Sequence, residues 1–318
     1  MTSPTIGAEP EAPPPEPEPL PYHRLARARS RPRWWRMPLT AVLTAVFCLV
    51  AVVLFFAGLD LAAFLGVGGG VLDDLDTTMA DTENPLGLVL ALCVIALLLP
   101  CVLLAARICG PRPVGLLSSV EGRLRWRWTL HAAGISAAVY ALSVPALLLA
   151  GNLAGTAESV PAPSGWTLVA MLAAVLLVVP LQAAAEEYVF RGVAMQTIGS
   201  WLRHPVFAVA LPIPLFVLGH DYGWVGLTDV AVFAVMAGWL TWRTGGLEAA
   251  IAVHVVNNLC AFGLSAFGWK DESPTALVIT LLVSAALVFL LDRAGRRRGL
   301  ARVRPCPRPA AALEPCAR

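Results

Sequence analysis

Three short stretches of this chain carry the polar groups that hydrolytic chemistry needs. They are Glu186-Glu187-Tyr188-Val189-Phe190-Arg191, Phe216-Val217-Leu218-Gly219-His220 and His254-Val255-Val256-Asn257-Asn258. All three lie in or beside apolar runs. Ionisable side chains at membrane depth are expensive and rare, so each is a functional hypothesis by default. Two carboxylates, one guanidinium and two imidazoles that converged from separate segments would form a water-activating site inside a bilayer.

Helical spacing divides the roles. Glu186 and Glu187 point about 100° apart on a helix, so they cannot do the same job. Glu187 and Arg191 are four residues apart, with the acid first, and can pair on one face. Glu186 is left facing elsewhere, where a carboxylate in a partly dry cavity suits a general base for water. The same trio would also serve as a solvated charge cluster at a membrane edge. His220 reads either as a catalytic imidazole or as a satisfied histidine at a helix end. His254 and Asn258 share one face and could bind a metal, donate to a developing oxyanion, or bridge packed spans.

The elements that must position these groups are transmembrane helices. Of 318 residues, 58% are hydrophobic and 14% charged, against roughly 45–50% and about 25% in soluble domains. The predicted fold is all-α and polytopic, with about eight transmembrane helices around a buried polar cavity. Apolar runs of spanning length lie near 38–58, 86–108, 130–150, 166–185, 205–220, 225–242, 247–267 and 274–291. The fifth run is short and interrupted by Pro212 and Pro214, a break tolerated only where protein or water covers the freed backbone. If that run crossed fully, His220 and a Glu186 at the cytoplasmic end of the fourth run would lie on opposite sides. A fourth helix that continues to Trp201 removes the conflict, and the stretch from Glu186 to Trp201 contains no proline.

Residues 1–36 read as a tail, disordered where Pro and Glu dominate and basic thereafter. Residues 37–292 form the helical domain, with its motifs at 186–258, and 293–318 a basic, Pro-rich tail. The interval 60–85 carries Asp60, Asp73, Asp74, Asp76, Asp81 and Glu83 without a cation, whereas 107–127 and 293–298 are rich in Arg. The positive-inside rule then puts both termini in the cytoplasm of a multi-pass protein, and eight crossings satisfy that parity. A secretory signal peptide is a poor fit. Lys270 is the only lysine, and Ala and Arg abound, a usage common in bacteria with GC-rich genomes; the expected location is a bacterial plasma membrane. The net charge of +2 gives no sign of nucleic acid as a partner. The expected partners are membrane lipid and a protein or peptide substrate. Seven cysteines without a CxxC pair argue against a thiolate metal site. His131 and His204 sit at span edges and receive no role.

Taken together, the motifs resemble the CAAX-protease and bacteriocin-processing family of intramembrane endopeptidases, the type II CAAX prenyl endopeptidases. Its Glu-Glu-x-x-x-Arg, Phe-x-x-x-His and His-x-x-x-Asn signatures are all present, within about residues 166–266. The resemblance implies that Glu186 activates water, with His220 sharing or orienting it. It further implies that His254 and Asn258 stabilise the oxyanion and that Glu187 and Arg191 brace the motif helix. It implies a glutamic peptidase needing no cofactor; Glu186, His220 and His254 are nevertheless an acceptable three-ligand set for zinc. Other intramembrane proteases fit less well. There is no His-Glu-x-x-His, no histidine follows the rhomboid-like Gly263-Leu264-Ser265-Ala266, and Asp60 and Asp229 lack a presenilin-type context. A non-catalytic partner, such as a bacteriocin-immunity protein, is the main alternative. A transporter is disfavoured by the lack of an internal repeat.

Overall fold

The computed structural model describes residues 18–28, 33–67, 84–159, 162–270 and 273–305. The Pro/Glu-rich start expected to be disordered, Asp73 to Glu83 of the acidic interval, and Cys306 and Cys316 lie outside these residues. Helices dominate: α1 (Arg36–Phe64), α2 (Pro85–Ala96), α3 (Leu98–Ile108), α4 (Trp126–Ala154), α5 (Gly165–Glu187), α6 (Met195–Trp201), α7 (Pro205–Ala210), α8 (Ile213–Leu218), α9 (Trp224–Thr244), α10 (Glu248–Ala266) and α11 (Pro274–Arg297).

Their ends follow local chemistry. Asn84 caps α2 by accepting from the Leu86 amide, with Pro85 in the first turn, and Ser273 caps α11 in the same way ahead of Pro274. Pro100 offers no amide hydrogen to the Ala96 carbonyl, and the helix breaks there into α2 and α3. Pro212 and Pro214 likewise separate α7 from α8. Between Glu187 and Met195 the chain winds as a π-helix (Tyr188–Ala194), so α5 and α6 form one 37-residue rod from Gly165 to Trp201. The longer fourth helix is therefore what the chain adopts.

Among the described residues seven helices are long and apolar enough to cross a membrane; Pro205–Leu218 is shorter. The eighth full-length span expected over 205–220 is not formed, because its two prolines cut it into six-residue pieces. The eight-crossing parity nonetheless survives. Strand β1 (Leu20–Pro21) pairs antiparallel with β4 (Val303–Arg304), so both ends of the described chain lie on one face. Arg203 joins that face through its bond to Glu18, as does Gly245, whose carbonyl accepts from the Val120 amide of the same face's 109–125 loop. Between them α9, 21 residues long and so about 31 Å, must start near the opposite face. The stretch 205–223 supplies that crossing with two short helices and a loop. On the far face, β2 (Glu158–Ser159) pairs with β3 (Trp269–Lys270).

The basic stretch read as a tail is packed over its described part. Residues Tyr22–Arg27 form a 3₁₀ turn whose Tyr22, His23 and Leu25 are buried. Tyr22 donates to the Leu117 carbonyl, and Arg27 donates to Ser200 at 3.0 Å. Gly199 permits this approach, since a Cβ there would fall 1.9 Å from the His23 carbonyl oxygen. Outward-facing Leu49, Leu54, Leu142, Leu177 and Leu282 are exposed, as expected of surface that lipid covers.

The terminal face is fastened by a buried ion pair. Glu248, in the first turn of α10, is fully buried and accepts from Arg125 Nε at 2.8 Å, Nη2 at 2.7 Å and the Arg125 amide at 3.0 Å. Gly246 has to lack a side chain here, because a Cβ would meet the Glu248 carboxylate at 2.3 Å. Removing one partner of such a pair costs about 3–5 kcal/mol, whereas replacing both by apolar groups is often neutral. Arg125→Met is therefore expected to lower the thermal unfolding midpoint of the detergent-solubilised protein sharply. The double variant Arg125→Met/Glu248→Leu should recover most of that loss in the same assay.

Candidate active site

Glu186 and Glu187 close α5, and both are buried. As their spacing predicts, they face different partners. Glu187 Oε1 accepts from Arg191 Nη1 at 2.8 Å across one turn, and also from His254 Nδ1 of α10 at 2.8 Å. A carboxylate of this kind only accepts, so Nδ1 carries the hydrogen and Nε2 is the imidazole nitrogen left for chemistry. That nitrogen lies 3.6 Å from Glu186 Oε2. Among the described residues nothing donates to Glu186 Oε2.

Arg191 is held on three sides. Besides Glu187 it donates to the Ala234 carbonyl at 3.3 Å, and its guanidinium lies over Phe216 at 4.5 Å and Phe233 at 5.7 Å. Stacking on an aromatic face suits a planar, weakly hydrated cation in a dry setting. The π-helical turn from Tyr188 to Ala194 carries this arginine; such turns are rare and frequently mark functional sites. Tyr188 ties the turn to the 109–125 loop through a 2.6 Å bond with Ser118.

A line of hydrogen bonds reaches the other oxygen of Glu186. Tyr140 in α4 donates to Asn257 Oδ1 at 2.7 Å, and Asn257 donates to Asn258 Oδ1 at 3.0 Å. Asn258 then donates to Gln182 Oε1 at 3.1 Å, and Gln182 donates to Glu186 Oε1 at 2.9 Å. Every donor points the same way, and the line ends on a carboxylate, as donor-to-acceptor polarity requires. Each amide in the line is engaged by both its oxygen and its nitrogen.

Five of the six candidate residues thus belong to one network: Glu186, Glu187, Arg191, His254 and Asn258. His220 is the exception. Its Nδ1 hydrogen bonds with the Phe216 carbonyl at 2.9 Å, and its ring lies 4.9 Å from that of Phe216 and 5.8 Å from that of Tyr222. No hydrogen bond joins it to Glu186 among the described residues. Phe216 is the link, since its ring also stands 6.4 Å from that of His254. Among the described residues no three His, Cys, Asp or Glu side chains lie together as metal ligands. Glu186, His220 and His254 are therefore not gathered as the alternative zinc set.

Sequence reasoning missed Gln182, Asn257 as a linking group, Tyr140 and Phe233. Gln182 had a signal: it stands four residues before Glu186, on the same helix face, as a buried amide in an apolar helix. Tyr140 had none, because its pairing with Asn257 spans 117 residues.

A multi-pass helical membrane protein with a buried carboxylate–imidazole pair is the class that this fold and site define. Residues 164–260 match the family described as type II CAAX prenyl endopeptidase Rce1-like, and that segment is an Rce1-like domain. The match takes in Gln182, Glu186, Glu187, Arg191, His220, His254 and Asn258; Tyr140 lies before it. The chain is also 26% identical over 174 residues to the uncharacterized protein YyaK of Bacillus subtilis (strain 168), an alignment covering 52% of this chain and 57% of that one. It thus spans a little over half the length of the curated relative it matches. No solved structure matches the chain.

The two tethers on the carboxylates differ in consequence. Glu187→Gln strips a buried guanidinium of its counter-charge and is expected to cost about 3–5 kcal/mol. Gln182→Leu removes one neutral donor to Glu186 and should cost about 1–3 kcal/mol. Parallel unfolding measurements on the two variants check this order.

Proposed function

We propose that the protein is an intramembrane endopeptidase that hydrolyses peptide bonds of membrane-associated proteins or peptides, with water activated by Glu186. The observation that carries the reading is the 3.6 Å approach of Glu186 Oε2 to His254 Nε2, each held by its other end. Gln182 fixes Glu186 through Oε1, and Glu187 fixes His254 through Nδ1. This leaves one carboxylate oxygen and one imidazole nitrogen side by side, positioned without cost at the moment of reaction.

In this mechanism Glu186 Oε2 takes a proton from water as the oxygen attacks the peptide carbonyl. His254, protonated at Nε2 and backed by the Glu187 carboxylate, donates to the developing oxyanion. Backing of this kind by a fixed carboxylate stabilises an imidazolium. Asn258 uses one amide hydrogen on Gln182, and its second is available to the same oxyanion. The proton held by Glu186 then passes to the leaving amine. His220 meets the substrate from beside Phe216, with Nε2 as its available nitrogen. CAAX-type processing is the substrate class that the Rce1-like match supports.

The same reading places the terminal face in the cytoplasm of a bacterial plasma membrane. Arg36, Arg107, Arg112, Arg123, Arg203 and Arg243 all flank helix ends on that face, as the positive-inside rule requires.

Purified protein in detergent should cleave a quenched peptide library that includes prenylated CAAX peptides. Loss of a general base costs roughly 10²–10⁴ in rate, so Glu186→Gln should lose at least about 100-fold, and His254→Ala should lose activity as well. A zinc chelator should leave the wild-type rate unchanged, and inhibition by it would overturn the metal-free route. Unimpaired cleavage by Glu186→Gln would remove Glu186 from its role and leave the motif a structural one.

A further inference from the structure

A second polar site stands on the terminal face, apart from the carboxylates. A cavity of about 490 Å³ is lined by Arg24 of the 3₁₀ turn, Arg203 after α6, Arg243 of α9 and Arg302 before β4. Its charge is poorly balanced. Arg203 pairs with Glu18 at 2.6 Å, but both side chains are about three-quarters exposed, and such pairs contribute little. Arg243, Arg302 and Arg296 all turn to the single carboxylate of Asp292. Arg24 Nε is buried and, among the described residues, has no hydrogen-bond acceptor. Burial, and then the neighbouring charges of Arg27 and Arg203, pull the Arg24 guanidinium below the ordinary arginine range.

Two further features describe what would fit. Trp242, in the last turn of α9, lines the same cavity, and tryptophan at a helix end marks headgroup depth. His23, also in the wall and only 1% exposed, bonds the Arg203 carbonyl through Nε2 at 3.1 Å. Its Nδ1 is buried and has no hydrogen-bond partner among the described residues.

We propose that this cavity binds a phosphate-bearing anion, with Arg24 and Arg203 as its principal ligands and a lipid headgroup of the adjacent leaflet as its source. Guanidinium forks match phosphate oxygens, and basic pockets at the ends of membrane helices take anionic headgroups. The proposal does not depend on the peptidase reading.

The test is thermal unfolding of the full chain in a neutral detergent. It is titrated with dioctanoyl phosphatidylglycerol, dioctanoyl phosphatidylcholine or inorganic phosphate. The wild type is compared with Arg24→Gln/Arg203→Gln and with Arg127→Gln, an exposed arginine outside the cavity. Phosphatidylglycerol should raise the midpoint saturably, with at least about tenfold weaker apparent affinity in the double variant and no change in Arg127→Gln. Saturation by inorganic phosphate alone would keep the site but name free phosphate as the source. A response absent from the wild type, equal with phosphatidylcholine, or equal in all three proteins would overturn the proposal. Should the double variant fail to fold, Arg24→Gln alone gives the same reading, with at least about threefold weakening expected.

Discussion

One oxygen atom, Glu187 Oε1, accepts hydrogen bonds from both Arg191 and His254, and the arrangement of the molecule's centre depends on it. Glu187 is fully buried, so its charge must be matched where water cannot help. The matching comes from its own helix, through Arg191, and from α10, through His254. A buried carboxylate left without either partner would carry a penalty of several kcal/mol. The pairing therefore sets the register of α5 against α10, and with it the orientation of the imidazole. Everything that Glu186 can do follows from where that imidazole is held.

The second carboxylate is positioned by neutral groups instead. Its anchor is a row of hydroxyl and amide donors crossing from α4 through α10 to α5. Neutral donors orient a charge without cancelling it. The adjacent residues of one dipeptide thus receive different treatment: Glu187 is gripped at Oε1 by Arg191 and His254, whereas Glu186 is oriented at Oε1 by the neutral Gln182 amide. The 100° turn between neighbours on a helix makes that division possible.

How much of this was legible beforehand depended on distance along the chain. The Glu187–Arg191 contact could be read from a spacing of four, and the rod through Trp201 from its lack of proline. The prolines at 212 and 214 announced a broken fifth segment, yet not that six-residue helices and a loop would still complete the crossing. For His254 a metal, a developing oxyanion and a bridge between packed spans all stayed open, and its bond to Glu187 could not be named, because pairings 67 residues apart leave no periodic trace. His220 was expected beside Glu186 and instead packs on Phe216. The burial of Tyr22, His23 and Leu25 was hidden by the arginines around them, which make the stretch resemble a solvated flank.

The short pairing of Leu20–Pro21 with Val303–Arg304 has a consequence for how the two described ends can move. It joins the beginning of the described chain to its end through a two-residue antiparallel pairing, so neither can shift without the other. A displacement of Leu20 on the terminal face is therefore carried directly to Arg304, its partner in the pairing.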